Sequence, residues 1–415
     1  MKIKNIVILA GGDGSRFWPL KKKSLFLFNG KPLICHQVDK LKRYCDKITI
    51  VINPEYENDF SKWLSKDIRL IKQSNANGMA GAVLSCKGLI NRDALIINAE
   101  DIFSTELMDK LTGKLDEKHF DIVLSAKEVT EYFPGGYIKF IDDKPVEIIE
   151  KPDPDKVPSK YVRLVVDYFA DFDGLIKAIE ETNSKRDDVY ELAINSLLNK
   201  SKSVYCLGYS DIWLALKYPW QILPMSRFFL SKLKNYRGKN VSIDKSAEII
   251  GEVYLEDNVK IMNQARIVGP CYIGKNSVVG SFSMVVNSMV GKNSLIGGYS
   301  EITRSYLGEE VMLHRNYIGD SVLDNDVLFG AGAVTGNYRF DEASLDSYVS
   351  GRKIKTNLTK LGVIIGANSK IGINVSILPG IKIGHNSLIG PGEVICEDVK
   401  DNMFVFNNNK VKNIL

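Results

Sequence analysis

The sequence predicts an α/β domain followed by a parallel β-helix of six-residue repeats. Before residue 240, short apolar runs alternate with helical patterns, and after it aliphatic residues recur at every sixth position. Composition changes at the same place, because all four tryptophans and ten of thirteen prolines precede residue 241, whereas twenty of thirty-three glycines follow it. At about 100–200 residues per domain, the chain is long enough for two or more domains. We expect domains at 1–235 and 241–405 and a C-terminal tail at 406–415.

Composition and charge exclude several classes of function. Hydrophobic residues make up 45% and charged residues 25% of the 415 residues, as in ordinary globular proteins. No run approaches the roughly 18 apolar residues of a membrane-spanning helix. The net charge of +5 is too small to indicate nucleic-acid binding. Six scattered cysteines without a CxxC pair indicate neither a zinc site nor a disulfide framework. We therefore expect a cytoplasmic protein that contacts no membrane and no nucleic acid.

The first part of the chain contains four short apolar runs that predict buried strands. They are rich in β-branched residues and lie at 6–10, 48–52, 94–98 and 121–126. Between the first two, residues 32–44 place apolar side chains at helical spacing. Strand, helix and strand in succession predict a mostly parallel sheet, whose ligands bind beyond the carboxyl ends of the strands.

The second part contains an internal repeat with a period of six. The aliphatic residue of each repeat falls at 243, 249, 255, 261, 267, 273, 279 and 285, then at 290, 296 and 302, and again from 365 to 395. Neither a helix nor a simple strand requires this period, whereas a hexapeptide solenoid does, with about 18 residues in each triangular coil. The repeat fails between Asn337 and Leu361, where we expect a projecting loop with a basic end.

A glycine-rich loop follows the first predicted strand. It contains Gly11, Gly12 and Gly14, and Arg16 lies two residues further on. Glycines allow the backbone to approach a polyphosphate, successive N–H groups bind anions, and an arginine adds a bidentate phosphate contact. The loop has neither the GxGxxG spacing of a dinucleotide site nor the lysine of a P-loop. It predicts a phosphate-binding site.

The loop and several later segments resemble the motifs of the sugar-1-phosphate nucleotidylyltransferases. That family opens with GGxGxRxxPL and a later GKP, and it continues with QxxxxGxA, a metal-binding Asp at a strand end, EKP and WxDxGTP. The matching segments here are 11–20, 30–32, 73–80, 98–101, 150–152 and 213–219. The resemblance covers about residues 3–230 and implies a Rossmann-like nucleotidyltransferase domain at 1–235.

This resemblance implies that an oxygen of a sugar 1-phosphate attacks the α-phosphorus of UTP or dTTP and that pyrophosphate leaves. Arg16 and Lys23 correspond to the catalytic cations, and Asp101 corresponds to the ligand of a Mg²⁺ ion. Glu150 and Lys151 correspond to the residues that face the sugar and its phosphate. The nucleotide-binding positions of the family correspond to Leu9, Gly11, Gly12, Gly14, Ser15, Gln73 and Gly78.

Three features depart from the family's pattern. The segment between Arg16 and Lys23 is shorter than usual, and no proline precedes the lysine. Ala215 stands where WxDxGTP has its aspartate, so a second metal carboxylate is missing; Asp211, four residues earlier, is a possible substitute. Val165 stands where the family has the asparagine of an Asn-x-Gly segment for the sugar. These departures leave a weakened or specialised nucleotidyl site as an alternative.

A second resemblance begins at His314. The matching residues are His314, Tyr317, Gly319, Asp320, Gly330, Gly332, Asn337 and Tyr338. They resemble the acetyl-transfer motif HxxYxGD, with the following GAG and asparagine–tyrosine pair, of the bifunctional sugar-1-phosphate nucleotidylyltransferase/acetyltransferases of archaeal type. The resemblance covers about residues 241–405 and implies a left-handed β-helix that carries an acetyltransferase site.

The second resemblance implies acetyl transfer from acetyl-CoA to an amine. The reaction requires a base at neutral pH, and His314 corresponds to that base. The positions expected to bind the sugar and its phosphate are Tyr317, Asn337, Tyr338 and Lys360. Leu328 stands where bacterial members have an asparagine before the GAG, a difference that bears on sugar specificity.

Three interpretations remain at this stage. The leading one is a two-activity enzyme that acetylates glucosamine 1-phosphate or galactosamine 1-phosphate and couples a sugar 1-phosphate to UTP or dTTP. The second is a nucleotidylyltransferase alone, such as a glucose-1-phosphate thymidylyltransferase or a mannose-1-phosphate guanylyltransferase, with a structural β-helix. The third is a catalytically weak regulatory or scaffold paralogue that binds sugar nucleotides. Because flat β-helix faces favour three-fold association, we expect a homotrimer or a dimer of trimers.

Overall fold

The computed structural model describes residues 2–74 and 78–407 and the backbone of Asn409–Val411. Residues 75–77 of the predicted QxxxxGxA segment lie outside the described residues, as do Asn408 and 412–415 of the predicted tail. Within that tail, the described backbone forms a strand at Asn409–Val411, which pairs antiparallel with Phe404–Phe406.

The chain divides into two compact units. The first comprises Met1–Asp13 and Pro32–Ala215, and the second comprises Gly14–Lys31 and Leu216–Leu415. The short segment Gly14–Lys31 therefore groups with the second unit, although the sequence predicts that it lies within the domain at 1–235. The predicted boundaries at 235 and 241 stay predictions.

Aromatic packing explains why Gly14–Lys31 belongs to the second unit. The ring of Phe26 lies 4.8 Å from that of Tyr306, and the ring of Phe28 stacks on that of Phe229 at 4.9 Å. Such ring pairs add stabilisation beyond the area they bury. Gly30 has a φ of +72°, and a Cβ there would come within 2.3 Å of the Tyr272 hydroxyl, so the segment fits only because this position lacks a side chain.

A mixed sheet forms the core of the first unit. In spatial order seven of its strands are Lys144–Glu150, Gly136–Ile141, Tyr161–Phe169, Ala94–Asn98, Ile3–Ala10, Cys45–Ile52 and Arg69–Lys72, and Ile122–Glu128 joins Tyr161–Phe169 to Val204–Tyr209. The four predicted strands are confirmed. The predicted parallel arrangement is confirmed for Ala94–Asn98, Ile3–Ala10, Cys45–Ile52 and Arg69–Lys72, whereas Tyr161–Phe169 runs antiparallel to each of its neighbours. Apolar runs indicate burial on both faces, which does not depend on strand direction.

The described helices of the first unit are Leu33–Leu41, Glu57–Ser61, Gly78–Leu84, Thr105–Glu117, Phe172–Glu181 and Val189–Lys200. The first confirms the helix predicted at 32–44, and it buries Leu33, Ile34, Val38 and Leu41 along one face. In the second unit, Ile222–Leu230 is helical. Among the described residues, no helix has the length and apolar character to cross a membrane.

The second unit is a β-helix with three parallel sheets as its faces. The first face contains Tyr236–Arg237, Val253–Leu255, Cys271–Ile273, Met289–Val290, Tyr306–Leu307, Val322–Leu323, Ile364–Ile365 and Lys382–Ile383. The second contains Ser242–Ile243, Lys260–Ile261, Val278–Val279, Leu295–Ile296, Met312–Leu313, Leu328–Phe329, Lys370–Ile371, Leu388–Ile389 and Phe404–Phe406. The third contains Glu248–Ile250, Arg266–Val268, Met284–Val286, Glu301–Thr303, Tyr317–Gly319, Val334–Thr335, Ser376–Ile377 and Val394–Ile395.

The aliphatic residues of the six-residue repeat fill the interior of the β-helix. They stack from Leu255 to Ile395 in one continuous buried cluster. Ile261 lies opposite Val279 in the next coil, which confirms the predicted coil of 18 residues at this point. Ile249 is 37% exposed, against expectation. It lies on the terminal strand of its sheet, so a neighbouring coil covers it from one side only.

One corner of the β-helix is formed by asparagines with a left-handed backbone. Asn240, Asn258, Asn276 and Asn293 all have positive φ, and their side-chain amides form a ladder with bonds of 3.2, 2.8 and 2.9 Å. Asparagine tolerates this conformation better than most residues. The repeat thus specifies both the buried side chain and the corner that returns the chain to the next face.

The predicted interruption of the repeat contains a two-stranded hairpin. Asp346–Val349 pairs antiparallel with Arg352–Lys355. The hairpin is held to the β-helix by Lys382, which is almost fully buried and whose ammonium donates to the Ser347 hydroxyl at 3.0 Å and to the Tyr348 carbonyl.

Candidate functional site

The glycine-rich loop of the first unit lies against Gln73. A Cβ at Gly11 would come within 1.9 Å of Gln73 Oε1, so the carboxamide packs directly on the loop backbone. The Gln73 amide also donates to the Gly78 carbonyl at 3.2 Å. Gly12 has open space around it, and Leu9 is buried in the preceding strand. The structure therefore brings together Leu9, Gly11, Gln73 and Gly78 at the carboxyl end of a central strand, as the sequence predicts.

Asp101 and Ala215 face each other in a short strand pair. Asp101–Phe103 pairs antiparallel with Trp213–Ala215, and Ala215 lies directly opposite Asp101. Directly opposed residues project to the same side of a sheet. Asp101 is 4% exposed, and its Oδ1 accepts a hydrogen bond of 3.0 Å from the Asn98 amide. The position that lacks the second carboxylate is thus adjacent to the first one.

The register of this pair argues against Asp211 as a shared metal ligand. Trp213 lies opposite Phe103, so the chain runs away from Asp101 as it approaches Asp211. Four extended residues separate Asp211 from Ala215 by up to about 13 Å. Among the described residues, no group of three or more His, Cys, Asp or Glu side chains is arranged to hold a metal ion. Because Mg²⁺ commonly takes one or two carboxylates together with substrate phosphates, Asp101 fits an ion that arrives with a triphosphate.

Glu150 and Lys151 form an ion pair at the end of a strand. Their charged atoms lie 2.8 Å apart, and both side chains are partly exposed. Lys151 has a left-handed backbone with φ of 47°, and its N–H donates to the Gly135 carbonyl at 3.1 Å. This turn directs two adjacent polar side chains away from the strand, where they can contact a ligand.

A buried ionic cluster in the first unit was not predicted from the sequence. Arg163 Nη2 lies 3.4 Å from Asp167 Oδ2, Arg163 Nη1 lies 3.4 Å from Glu191 Oε1, and all three side chains are buried. Burial raises the pKa of Asp167 to about 6, against the opposing effect of Arg163. The strand register is irregular between Leu164 and Tyr168, which includes the departure at Val165. An arginine and an aspartate within an apolar run were the signal that could have revealed this cluster.

In the second unit, Lys23 lies beside Gly14. Gly14 has a φ of +72°, and a Cβ there would be 3.8 Å from Lys23 Cε. Ser15 and Arg16 begin a short 3-10 helix that follows Gly14, and both are exposed. The predicted nucleotide-site residues therefore divide between the two units: Gly14, Ser15, Arg16 and Lys23 belong to the second.

His314 is an exposed residue at a corner of the β-helix. Its N–H donates to Asn316 Oδ1 at 2.5 Å, and the amide of Asn316 donates to the carbonyls of Gly330 and Ala333 at 2.9 Å each. Asn316 is buried. These bonds fix the backbone on both sides of His314 and leave its side chain at the surface, where a base must be to reach a substrate.

A hydrogen-bonded cluster follows His314 on the third face. Asn337 Nδ2 donates to Asp320 Oδ2 at 2.6 Å and lies 3.3 Å from the Tyr317 hydroxyl. Arg304 makes two hydrogen bonds of 2.7 Å to the Asp320 carboxylate. A Cβ at Gly319 would come within 2.7 Å of both Asn337 Nδ2 and the Tyr317 hydroxyl, so glycine is required there. The structure thus brings together Tyr317, Asn337 and Asp320, and it adds Arg304.

Tyr338 and Lys360 close the inserted segment. They form an isolated antiparallel bridge, and Lys360 Nζ lies 5.9 Å from the centre of the Tyr338 ring. Both side chains are exposed. Arg304 and Asn316 were not predicted from the sequence, although the aspartate of the HxxYxGD motif indicates a nearby cationic partner, which is Arg304.

Three family models match successive parts of the chain. The nucleotidyl transferase model matches residues 5–216, the GMPPB C-terminal domain model matches 234–328, and the six-repeat bacterial transferase hexapeptide model matches 362–405. The chain is 28% identical to the bifunctional protein GlmU of Methanococcus vannielii over 417 residues and 98% of each chain. It is 30% identical to that of Methanococcus maripaludis over 98% of each chain. It is 31% identical to the bifunctional sugar-1-phosphate nucleotidylyltransferase/acetyltransferase of Sulfurisphaera tokodaii, over 94% of this chain and 97% of the other.

The chain belongs to the family of bifunctional nucleotidylyltransferase/acetyltransferases.

Membership in the bifunctional transferase family confirms both resemblances and the predicted fold class. The chain is an enzyme with a nucleotidyl transferase part and a hexapeptide part. The roles of individual site residues stay predictions. Asn337, Tyr338 and Lys360 lie between the regions matched by the second and third models, so these assignments depend on the geometry described above.

Proposed function

We propose that this bifunctional transferase acetylates an amino-sugar 1-phosphate, glucosamine 1-phosphate or galactosamine 1-phosphate, with acetyl-CoA. We propose further that it transfers a nucleotidyl group from UTP or dTTP to a sugar 1-phosphate in the presence of Mg²⁺. The cluster of Tyr317, Asn337 and Asp320, in which Tyr317 follows the exposed His314 by three residues, is the observation that carries the acetyl-transfer proposal.

The arrangement suits proton removal from an amine. The amine nitrogen attacks the thioester carbonyl carbon, a C–N bond forms, the C–S bond breaks, and the coenzyme A thiol leaves. His314 takes the proton that the amine loses. Asp320, held by Arg304, fixes the amide of Asn337, which can then orient the substrate beside the Tyr317 hydroxyl.

Charge placement supports binding of the sugar phosphate at the same site. Lys360 is an exposed cation next to Tyr338 and at the end of the inserted segment. An ammonium group and a tyrosine hydroxyl are suitable partners for phosphate oxygens. The amino group of the sugar would then lie toward His314, while its phosphate is held by Lys360 and Tyr338.

For nucleotidyl transfer, the chain supplies groups that neutralise and align phosphates. The Gly11–Gly12 backbone receives the triphosphate, and Gln73 and Gly78 contact the base. The family resemblance assigns the positive charges that act on the triphosphate to Arg16 and Lys23, and it assigns contacts with the sugar and its phosphate to Glu150 and Lys151. A Mg²⁺ ion held by Asp101 supplies further positive charge to the phosphate oxygens when it is bound.

A weak nucleotidyl site is the second candidate function for the first unit, because Ala215, which has no carboxylate, lies directly opposite Asp101. With one carboxylate in the pair, the ion depends more on the triphosphate for its binding. In that case the first unit acts chiefly as a binding and regulatory unit for sugar nucleotides. For the whole molecule we propose a cytoplasmic homotrimer or dimer of trimers, which the flat faces of the β-helix support.

Acetyl transfer is tested by the release of free thiol from acetyl-CoA with glucosamine 1-phosphate and, separately, galactosamine 1-phosphate. We expect His314→Ala to lower kcat by about 10²–10⁴-fold, as for loss of a general base. His119→Ala, at another exposed histidine, is the matched control and should leave the rate unchanged. Absence of thiol release with both sugars, or full activity of His314→Ala, would contradict the proposal.

Nucleotidyl transfer is tested by release of pyrophosphate from UTP and from dTTP with a sugar 1-phosphate and Mg²⁺. We expect Asp101→Asn to abolish a robust reaction of the wild type. A wild type that binds the sugar nucleotide but releases pyrophosphate only slowly, with no further loss in Asp101→Asn, supports the weak site instead.

A further inference from the structure

The second unit contains a cavity with both polar and apolar lining residues that neither proposed reaction uses. It has a volume of about 440 Å³ and lies between residues 19–27 and a corner of the β-helix. Its lining includes Lys21, Lys22 and His385, together with the rings of Phe26 and Tyr306. A cavity of this size is within the range of small-molecule sites.

Three consecutive lysines connect this cavity to the predicted nucleotide loop. Lys23 lies beside Gly14, whereas Lys21 and Lys22 line the cavity. Lys22 has a left-handed backbone, with φ of 53°, and its carbonyl accepts a 2.8 Å hydrogen bond from the Leu25 N–H in the turn that carries Lys23. A non-glycine residue in this conformation is strained and is retained only where its surroundings hold it. Because the hydrogen bond from Leu25 to Lys22 closes the turn that contains Lys23, a shift of the Lys22 backbone would also shift Lys23.

On the β-helix side, His385 holds Lys21 in place. The two side-chain nitrogens, Lys21 Nζ and His385 Nε2, lie 3.1 Å apart. On the other side of the ring, His385 Nδ1 lies 3.1 Å from Asp401 Oδ1, which also accepts a 2.8 Å hydrogen bond from Trp18 Nε1. Burial and the neighbouring Lys21 lower the pKa of His385, whereas Asp401 raises it. A neutral ring can accept from Lys21 and keep the ammonium at the cavity edge.

The lining chemistry favours an anion with a polar body. Lys21 and Lys22 contribute two ammonium groups to the lining, whose described residues include one carboxylate, that of Asp324. Burial raises the pKa of Asp324 to about 6. In mildly acidic solution this carboxyl is therefore partly neutral and repels a bound anion less. The amides of Asn368 and Asn386 can bond hydroxyl or carbonyl groups.

We propose that this cavity binds a phosphorylated small molecule, whose phosphate contacts Lys21 and Lys22 while His385 holds Lys21 at the cavity edge, and that its occupancy sets the position of Lys23. The site is separate in the sequence from His314 and Asp101. Its effect on nucleotidyl transfer rests on the function proposed above, whereas binding itself does not. A phosphorylated substrate or product of this enzyme and a free phosphate share the chemistry that the lysines recognise.

The test is hydrogen–deuterium exchange of the full chain with three probes used separately: inorganic phosphate, glucosamine 1-phosphate and UDP-N-acetylglucosamine. Peptides from 364–388 report on the β-helix side of the cavity and contain none of the predicted nucleotide-site residues. Peptides from 19–27 report on the lysine segment. The variants are Lys22→Asn, which suits the left-handed backbone and removes the charge, and His385→Gln. Lys370→Gln, at an exposed lysine of the same β-helix, is the matched control.

We expect at least one probe to slow exchange in both groups of peptides, with an apparent affinity about tenfold weaker in Lys22→Asn and His385→Gln and unchanged in Lys370→Gln. Protection by inorganic phosphate identifies the phosphate itself as sufficient, and protection only by the larger probes identifies a sugar phosphate or sugar nucleotide. Protection confined to 19–27 with 364–388 unchanged, or protection that all variants retain, overturns the proposal. These measurements require no enzyme activity, so they test binding at the cavity independently of the proposed reactions.

Discussion

Restoring a carboxylate opposite Asp101 should create a magnesium site that binds without nucleotide. The change is Ala215→Asp, at the residue that pairs directly with Asp101 in the strand pair. Opposed residues of an antiparallel pair have Cα atoms about 4.5–5.5 Å apart, and their side chains project to the same side. The two carboxylates of the variant therefore lie close enough to share one ion.

The size of the effect follows from this geometry. Two like charges about 5 Å apart repel by about 3 kcal/mol at an effective dielectric constant of about 20. Without Mg²⁺ the variant should lose about 1–3 kcal/mol of unfolding free energy in the first unit, because part of the repulsion is relieved by proton uptake or rearrangement. Mg²⁺ at about one hundred times its dissociation constant returns about 2.7 kcal/mol. In a unit of this size each kcal/mol shifts the melting temperature by about 2–4 °C.

The assay is thermal unfolding with and without Mg²⁺, in the absence of nucleotide. We expect Ala215→Asp to melt lower than the wild type in a chelating buffer and to recover several degrees on addition of Mg²⁺. Ala215→Asn has nearly the same shape without the charge, so it should respond to Mg²⁺ no more than the wild type does. An equal Mg²⁺ response of the Asp and Asn variants would refute the reasoning that these two positions form a shared metal site.

Three further predictions concern the first unit and the cavity. Gly11→Ala should displace the Gln73 carboxamide and raise KM for the triphosphate about tenfold, with the rate of acetyl transfer unchanged. Gly12→Ala, at a position with open space around it, should have little effect in the same kinetic assays. Arg163→Met should lower the unfolding free energy in urea by about 3–5 kcal/mol, because it leaves two buried carboxylates unpaired; a loss below about 1 kcal/mol would contradict this. Asp324→Asn should stabilise the chain against urea much more at pH 8 than at pH 4. A folded pKa raised to about 6 destabilises the fold by its full amount above that pH, and the effect disappears as the pH falls to the ordinary value of 3.8. An equal difference at both pH values would contradict this prediction.

The β-helix could be predicted in detail because each repeat specifies one buried side chain and one corner. The period places Ile261 and Val279 opposite each other, and the structure confirms that register. Strand direction in the first unit could not be predicted in the same way. Tyr161–Phe169 is antiparallel to its neighbours, yet its apolar run is indistinguishable from that of a parallel strand.

Site residues that lie close together in the sequence could be predicted from a motif, whereas partners that lie in another coil of the β-helix could not. Asp320 belongs to a local motif, but Arg304, which binds its carboxylate, lies in the preceding coil. Coil length also changes along the β-helix. Ile261 pairs with Val279 after 18 residues, whereas Leu313 pairs with Phe329 after 16. A fixed period therefore assigns the wrong partner in this region, because the coils that carry the site are shorter than those that define the repeat.

The three lysines at 21–23 show why a basic run cannot be interpreted from the sequence alone. Each has the same charge, and any of them suits a phosphate. Their different positions follow from the aromatic packing of Phe26 on Tyr306 and from the left-handed backbone at Lys22, which together turn Lys23 toward Gly14 and leave Lys21 and Lys22 at the cavity. Because the aromatic partner lies about 280 residues away in the sequence, no local pattern contains this information. The same packing makes the segment part of the β-helix unit, so a ligand at the cavity acts on the lysine segment through contacts within one unit.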